Sequence, residues 1–207
     1  MSLFDKLFGP RLDDRLEDRS PEERHAAVAD SQAAYEAGLL LRAPSALAQL
    51  SESEAFTVVS FMSPRRFPAG TVLIREGESG DSGFMVLVLD GEVTVERLRT
   101  SHRSAVTISV LGRGSLIGEM ALVDGEARSA TCTASTDVSC AVLTREALEK
   151  LIEEEPSTGA KLMTAIAVRL AERLREVSQK LQVTSKLVLT LQQEIDALMP
   201  TPDKRLK

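Results

Sequence analysis

The sequence predicts an α+β fold, in which an antiparallel β-barrel or jelly roll is flanked by N-terminal helices and one long C-terminal helix. Between Arg65 and Thr144, apolar and polar residues alternate in roughly seven or eight short runs separated by glycine or charged turns, as is typical of a small antiparallel roll. From Thr144 to Leu198 the apolar residues recur every three or four positions. That spacing indicates two helices with a break at Glu155-Pro156-Ser157, the first capped by Thr144 and the second by Ser157.

Residues 1–46 are predicted to form a helical extension. A short first segment at residues 3–8 is apolar on one side, which suits either a helix that docks on its own domain or an anchor at a membrane or partner. Ser20 has the character of an N-cap and is followed by proline, so a helix is predicted from Pro21 to Leu41. Another is predicted over Glu52–Met62.

The predicted β-barrel domain covers residues 47–156. Its strand-like runs are Val72–Ile74, Phe84–Leu89, Val93–Leu98, Ala105–Val110, Ser115–Ile117, Ala130–Ala134 and Val138–Leu143. By composition alone this roll could belong to a metal-dependent cupin, but such an enzyme needs several histidines and a carboxylate around one metal. The chain has only His25, in a predicted helix, and His102, in a predicted hairpin tip. With no nucleophile and base at a suitable spacing, the sequence predicts neither an enzyme nor a metal site.

Composition excludes other classes. The net charge of -6 argues against a nucleic-acid-binding surface, which needs a basic footprint. No apolar run reaches the ~18 residues that a membrane span requires, so we expect no membrane insertion. With no signal peptide in the sequence, Cys132 and Cys140 are expected to be reduced, buried thiols of a cytoplasmic protein.

The segment from Gly114 to Ala134 reads GSLIGEMALVDGEARSATCTA. Gly118 allows a tight turn after an apolar strand, and a helical turn starting at Glu119 leaves backbone N–H groups that attract an anion. Arg128, nine residues after Glu119, adds a bidentate fork for a phosphate. The Glu119 carboxylate would repel that anion, so ribose hydroxyls are its obvious partners. The alternative is a salt bridge between Glu119 and Arg128.

This segment resembles the phosphate-binding cassette of the cyclic nucleotide-binding domain family, of the catabolite activator and cAMP-dependent kinase type. The family pattern F-G-E-[LM]-A-L followed by P-R-x-A-T is matched by Ile117-Gly118-Glu119-Met120-Ala121-Leu122 and Ala127-Arg128-Ser129-Ala130-Thr131. Ile117 replaces the usual aromatic residue and Ala127 replaces proline, and neither change removes a ligand group. The resemblance covers about residues 47–181.

The resemblance implies a cyclic nucleotide ligand, cAMP or cGMP, and no cofactor. Arg128 would bind the exocyclic phosphate oxygens, Glu119 the ribose 2′-hydroxyl, and the backbone around Gly118, Met120 and Ala121 the rest of the phosphate. Ser129 would reach the phosphate or a guanine amino group. Further along the chain, Val177 and Ser178 match positions that meet the base, where Val177 replaces a hydroxyl residue and leaves base selectivity open.

The segment 157–199 is predicted to be a long dimerisation helix, followed by a tail at 200–207. Its apolar residues form a heptad seam with Ala167, Leu174, Leu181, Val188 and Ile195 at a, and Met163, Leu170, Val177, Thr184, Leu191 and Leu198 at d. In the C-terminal half, β-branched a and mostly leucine d residues favour a parallel coiled-coil dimer. The e and g positions carry no clean charge code, so the orientation stays open. A helix packed on its own barrel explains only the first turns, because the helix would span ~60 Å. Since seven residues follow Pro200, we expect no DNA-reading domain after it.

The sequence therefore predicts a cytoplasmic cyclic nucleotide sensor, a homodimer through its C-terminal helix, that signals to an unidentified protein effector by helix rearrangement. A ligand-independent scaffold that keeps the fold without the binding activity is the alternative.

Overall fold

The structure, a computed structural model, describes residues 20–29, 31–44, 46–79, 83–98 and 105–198. The predicted first helix, His102 and the C-terminal tail lie outside these ranges. The chain divides into two compact units, of which the first ends at Ile166 and the second begins at Ala167. Within the described ranges, no helix has both the length and the apolar character that a membrane crossing demands.

Among the described residues, three helices precede the sheets: α1 (Pro21–Ala29), α2 (Gln32–Leu41) and α3 (Glu52–Ser60). The prediction of one helix over Pro21–Leu41 is wrong. Ser31 has extended backbone angles and its hydroxyl accepts a hydrogen bond from the Ala34 N–H at 3.3 Å, so it caps a second helix. The predicted Ser20 cap is confirmed, because its hydroxyl accepts from the Glu23 N–H at 3.3 Å and the Glu23 carboxylate accepts from the Ser20 N–H at 3.0 Å.

Eight strands follow within the described residues. They are β1 (Ser63–Phe67), β2 (Val72–Ile74), β3 (Phe84–Asp90), β4 (Val93–Leu98), β5 (Ala105–Leu111), β6 (Leu116–Ile117), β7 (Thr131–Ala134) and β8 (Val138–Thr144). They pair antiparallel in two four-stranded sheets, of order β1-β8-β3-β6 and β2-β7-β4-β5. The predicted jelly roll is thus confirmed, but as two sheets and not as a closed barrel.

Apolar side chains from both sheets form the core of the roll. Its buried members are Phe67, Leu73, Ile74, Phe84, Val86, Val88, Val93, Val95, Ile117, Cys132, Ala134, Val138, Cys140 and Val142. The two thiols are free and buried, as predicted. Burial raises the pKa of the Cys140 thiol to about 12, which keeps it protonated at neutral pH. Cys140 therefore packs as a small apolar residue.

Three further helices lie in the described part of the chain: α4 (Glu119–Asp124) between β6 and β7, and α5 (Arg145–Glu154) and α6 (Pro156–Leu198) after β8. The predicted Thr144 cap of α5 is confirmed by the Ala147 N–H, which donates to its hydroxyl at 3.1 Å. Helix α6 begins at Pro156, with proline at the favoured first helical position. The predicted cap at Ser157 is wrong, because Ser157 lies inside the helix. Its first turns bury Thr158, Gly159, Leu162, Ala165 and Ile166.

An ion pair between α6 and α3 predicts an acid-dependent loss of stability. The Lys161 ammonium donates to the Glu54 carboxylate, which also accepts from the Ser51 N–H at 2.9 Å. These contacts lower the pKa of Glu54 from 4.5 to about 2, and the hydrogen bond from Lys161 contributes most. A carboxylate with a depressed folded-state pKa stabilises the fold above its unfolded pKa, and this stabilisation is lost as the pH falls towards 2.

We therefore expect Lys161→Met to lower the thermal midpoint at pH 7, and this deficit to shrink as the pH falls from 4.5 towards 2. Thermal melts of the wild type and Lys161→Met at pH 7, 4.5 and 3 measure this difference in the midpoint. The matched control is Lys186→Met, at an exposed position of α6, which should change the midpoint little at every pH. An equal deficit for Lys161→Met at pH 7 and pH 3 would contradict the assignment.

Candidate functional site

The cassette begins with a left-handed glycine. Strand β6 ends at Ile117, Gly118 follows with φ 84° and ψ 11°, and α4 starts at Glu119. A Cβ atom at Gly118 would lie 2.8 Å from the Phe84 carbonyl oxygen and 2.8 Å from Arg128 Nη1. Gly118 thus serves two needs at once, because it adopts a backbone angle that L residues disfavour and lets the arginine approach the turn.

Arg128 extends into the roll beneath this turn. Its Nη1 donates to the Phe84 carbonyl oxygen at 3.0 Å and to the Gly118 carbonyl oxygen at 3.1 Å. The guanidinium carbon lies 4.4 Å from the centroid of the Phe84 ring, a distance at which the cation and the ring face attract each other. Two carbonyls and one aromatic ring therefore fix the orientation of the guanidinium group.

The other terminal nitrogen of Arg128, Nη2, is the unusual atom of the site. It is buried, and among the described residues no atom accepts a hydrogen bond from it, Glu119 included. Burial lowers the pKa of Arg128, while the negative charges of Glu78 and Glu119 act in the opposite direction. An arginine nevertheless stays protonated in proteins. A buried cationic donor without an acceptor is costly unless an anion binds it.

The four cassette residues from Gly118 to Ala121 differ in exposure. Glu119 is only 1% exposed, and its charge lies near enough to Arg128 to influence the arginine pKa. Ala121 is buried, whereas Met120 is 42% exposed. The cassette therefore holds a buried carboxylate and a buried guanidinium group, and the charge of the first acts to raise the pKa of the second, against the effect of burial.

The backbone of Arg128 is held by the loop after β2. The Arg128 N–H donates to the Glu78 carbonyl oxygen at 3.0 Å, and the Gly77 N–H donates to the Arg128 carbonyl oxygen at 2.9 Å. The Glu76 N–H donates to Thr131 Oγ1 at 3.0 Å. Ser129, between these contacts, is exposed. Its hydroxyl is thus accessible at the surface of the site.

Two residues of the site were not identified from the sequence. Phe84 supplies both a ring and a carbonyl oxygen to Arg128. Arg145 donates from Nη2 to the Ala121 carbonyl oxygen at 2.7 Å and from its backbone N–H to the Gly83 carbonyl oxygen at 2.7 Å. Neither belongs to the cassette motif, so only their position in the fold reveals them.

Val177 and Ser178 lie on α6 in the second compact unit, where both are exposed. Their predicted contact with a nucleotide base stays a prediction. Among the described residues, no group of three or more histidine, cysteine, aspartate or glutamate side chains is arranged to hold a metal ion.

The close approach at Gly118 predicts a specific loss of stability on substitution. Gly118→Ala should lower the free energy of unfolding by about 1–2 kcal/mol for the left-handed backbone and by a further ~1–3 kcal/mol for the overpacked Cβ. Urea denaturation of the wild type and the variant measures the total loss in the free energy of unfolding.

Gly70→Ala is the matched control, because Gly70 also has φ 84° but nothing lies within 4 Å of its Cβ position. This variant should lose only the free energy of unfolding that the left-handed backbone angle costs. Equal losses in the two variants would mean that the contacts with Phe84 and Arg128 do not restrict this position.

Comparison with known proteins connects this geometry to a family. The family described as cyclic nucleotide-binding domain matches residues 64–155. A cyclic nucleotide-gated potassium channel of Rhizobium etli is 40% identical over 91 residues, which cover 44% of this chain and 23% of the channel. The cyclic AMP receptor protein of Thermus thermophilus is 32% identical over 136 residues, which cover 66% of this chain and 60% of the receptor. The chain thus spans less than two thirds of the length of either relative.

Among solved structures, a cyclic nucleotide-binding domain from Methylobacillus flagellatus superposes with a TM-score of 0.62 at 27% identity, over 82% of this chain and 94% of the other. The match therefore extends well beyond the cassette. Together with the two-sheet roll, it shows that residues 64–155 form a domain of the cyclic nucleotide-binding domain family.

Proposed function

We propose that the protein is a cytoplasmic cyclic nucleotide sensor that binds cAMP or cGMP at the cassette between Gly118 and Thr131. The observation that carries the proposal is Arg128 Nη2, a buried cationic donor to which no described residue supplies an acceptor. The cyclic phosphate of such a nucleotide is a compact anion with two exocyclic oxygens, which suits an arginine fork. The names of the two relatives, a cyclic nucleotide-gated channel and a cyclic AMP receptor, point to the same ligand class.

The remaining cassette residues take the roles that the family pattern gives them. Arg128 binds the exocyclic phosphate oxygens, and Glu119 accepts a hydrogen bond from the ribose 2′-hydroxyl. The backbone at Gly118, Met120 and Ala121 completes the phosphate contacts. The Glu119 side chain is 1% exposed, and a hydrogen bond in such a buried setting is electrostatically stronger than in water.

cAMP and cGMP differ in their base, so contacts with the base decide which of them binds. Ser129 is exposed and offers a hydroxyl to the phosphate or to a guanine amino group. Val177 and Ser178 are proposed to meet the base from α6, where Val177 offers no hydrogen bond. Both nucleotides are therefore proposed as ligands of the site.

We further propose that the protein is a homodimer and that its output is a contact with a protein effector. The proposed domains are an N-terminal extension (1–46), a nucleotide-binding β-barrel (47–156), a dimerisation helix (157–199) and a tail (200–207). The apolar residues of α6 support self-association, because Leu174, Leu181, Val188, Leu191 and Ile195 are between 48% and 67% exposed. Exposed apolar residues in a heptad pattern are typical of a coiled-coil seam.

Calorimetric titration of the full chain with cAMP, cGMP and a cyclic dinucleotide tests the ligand. We expect saturable binding of cAMP or cGMP with one site per chain and no binding of the cyclic dinucleotide. No heat with any of the three at millimolar concentration would overturn the sensor proposal. The scaffold function would then be favoured, provided that thermal melts also show no shift with nucleotide.

A further inference from the structure

Helix α5 contacts the cassette at its first residue. The Arg145 guanidinium donates to the Ala121 carbonyl oxygen of α4 at 2.7 Å, and its backbone N–H donates to the Gly83 carbonyl oxygen at 2.7 Å. Ala121 is a cassette residue, so a displacement of α4 changes the position of the group that Arg145 binds. Arg145 is therefore the residue of α5 that is placed to respond to the cassette.

The same helix contacts α1 at its last residue. Arg24 of α1 donates to the Glu154 carboxylate. Arg24 is only 1% exposed, and its guanidinium carbon lies 4.2 Å from the centroid of the Phe61 ring. The buried arginine thus has a carboxylate partner on α5 and an aromatic partner just after α3.

Attachment of α1 depends strongly on Arg24. Among the α1 side chains whose burial the structure describes, Glu22, Glu23 and Ala26 are exposed, Val28 is half-buried, and Arg24 is buried. A helix of nine residues is too short to be stable without tertiary contacts. Loss of the Arg24 contacts would therefore weaken the attachment of α1 to the rest of the fold.

Between these two contacts, α5 is rigid enough to transmit a displacement. Its inner face buries Ala147, Leu148 and Leu151 to 5% exposure or less. Ten helical residues span ~15 Å at 1.5 Å per residue. A packed helix of this length moves as one body, so a shift at Arg145 reaches Glu154.

We infer that α5 couples the nucleotide site to α1, so that binding at the cassette changes how tightly Arg24 is held. We call the path from Ala121 through Arg145 and Glu154 to Arg24 the α5 connection. It rests on the proposed function for its input, and it makes α1 the output element of the sensor. Arg145 acts as a positioning residue, because it binds the cassette backbone and not the nucleotide.

Hydrogen exchange of the full chain, measured by mass spectrometry on peptides from α1, tests the α5 connection. In the wild type, saturating cAMP or cGMP, whichever binds by calorimetry, should change α1 exchange by at least about threefold. Arg145→Ala should remove this response at a nucleotide concentration that still saturates the site. Arg145→Lys, which keeps a cationic donor, should retain part of it.

Arg113→Met is the matched control. Arg113 also joins an N-terminal helix to the roll, since it donates to Glu36 of α2 at 3.1 Å and to the Leu89 carbonyl oxygen at 2.8 Å. It lies outside the α5 connection, so its variant should keep the wild-type response of α1. If Arg145→Ala responds like the wild type, or if the wild type binds nucleotide without any change in α1, the inference is overturned.

Two further experiments distinguish failure of this inference from failure of the proposed function. If no nucleotide binds, the proposed function fails, and the connection is decided in the free protein: Arg145→Ala should alter α1 exchange, and an unchanged rate would overturn the inference. If Arg145→Ala does not fold, Glu154→Gln tests the other end. It should speed α1 exchange and remove the nucleotide response while the dissociation constant stays within about threefold of the wild type, and a normal response would overturn the inference.

Discussion

Arg128→Ala is expected to weaken nucleotide binding about thirty- to several-thousand-fold, the equivalent of about 2–5 kcal/mol. The variant removes the buried donor Nη2, which is directed by two carbonyl contacts and the Phe84 ring. The phosphate would then be desolvated without its cationic partner. Calorimetric titration with the nucleotide that the wild type binds gives the ratio of dissociation constants.

Two variants sharpen this test. Arg128→Lys keeps the charge but loses the planar fork, so its affinity should lie between those of the wild type and Arg128→Ala. Arg66→Ala removes a cation from an exposed position of β1 and should leave the affinity nearly unchanged. Should folded Arg128→Ala bind as tightly as the wild type, the phosphate is held by other groups and the assignment of Arg128 is wrong.

Introducing two charges on the seam of α6 is expected to weaken the proposed dimer strongly. Leu181→Glu with Val188→Glu changes two successive a positions, which are 63% and 54% exposed in the single chain. In a coiled coil each glutamate would be buried opposite its copy. We expect the dissociation constant of the dimer to rise at least about a hundredfold, the equivalent of about 3 kcal/mol. Light scattering of the full chain across a concentration series measures it.

The control for this variant is Gln182→Glu with Gln193→Glu, which adds the same two charges at the b and f positions, off the seam. It should remain as dimeric as the wild type. A chain truncated after Val183 should likewise be a monomer or a weakened dimer. A tight dimer in both the seam variant and the truncated chain would place the interface elsewhere in the protein.

The elements most accessible to prediction were those with local signals. The period-two runs, the helix cap at Ser20 and the cap at Thr144 all depend on residues within about four positions of one another, and the structure confirms them. The cassette turn is equally local, since Gly118 and Glu119 are neighbours in the chain. The break before α2 was missed because Ser31 competes with helix-forming residues on both sides, and such a competition is settled by tertiary packing.

Contacts between distant parts of the chain could not be predicted in the same way. The sequence alone determined the family pattern and most of the helices and strands, and it placed Glu119 and Arg128 in one cassette, because each of these depends on residues close together in the chain. It missed the break before α2 and the strand β1. Only the tertiary structure decided what surrounds them. Phe84 lies 44 residues from Arg128, Arg145 lies 24 from Ala121, and Arg24 lies 130 from Glu154. No periodicity encodes such contacts, since they arise when the chain collapses and buried polar groups must find partners.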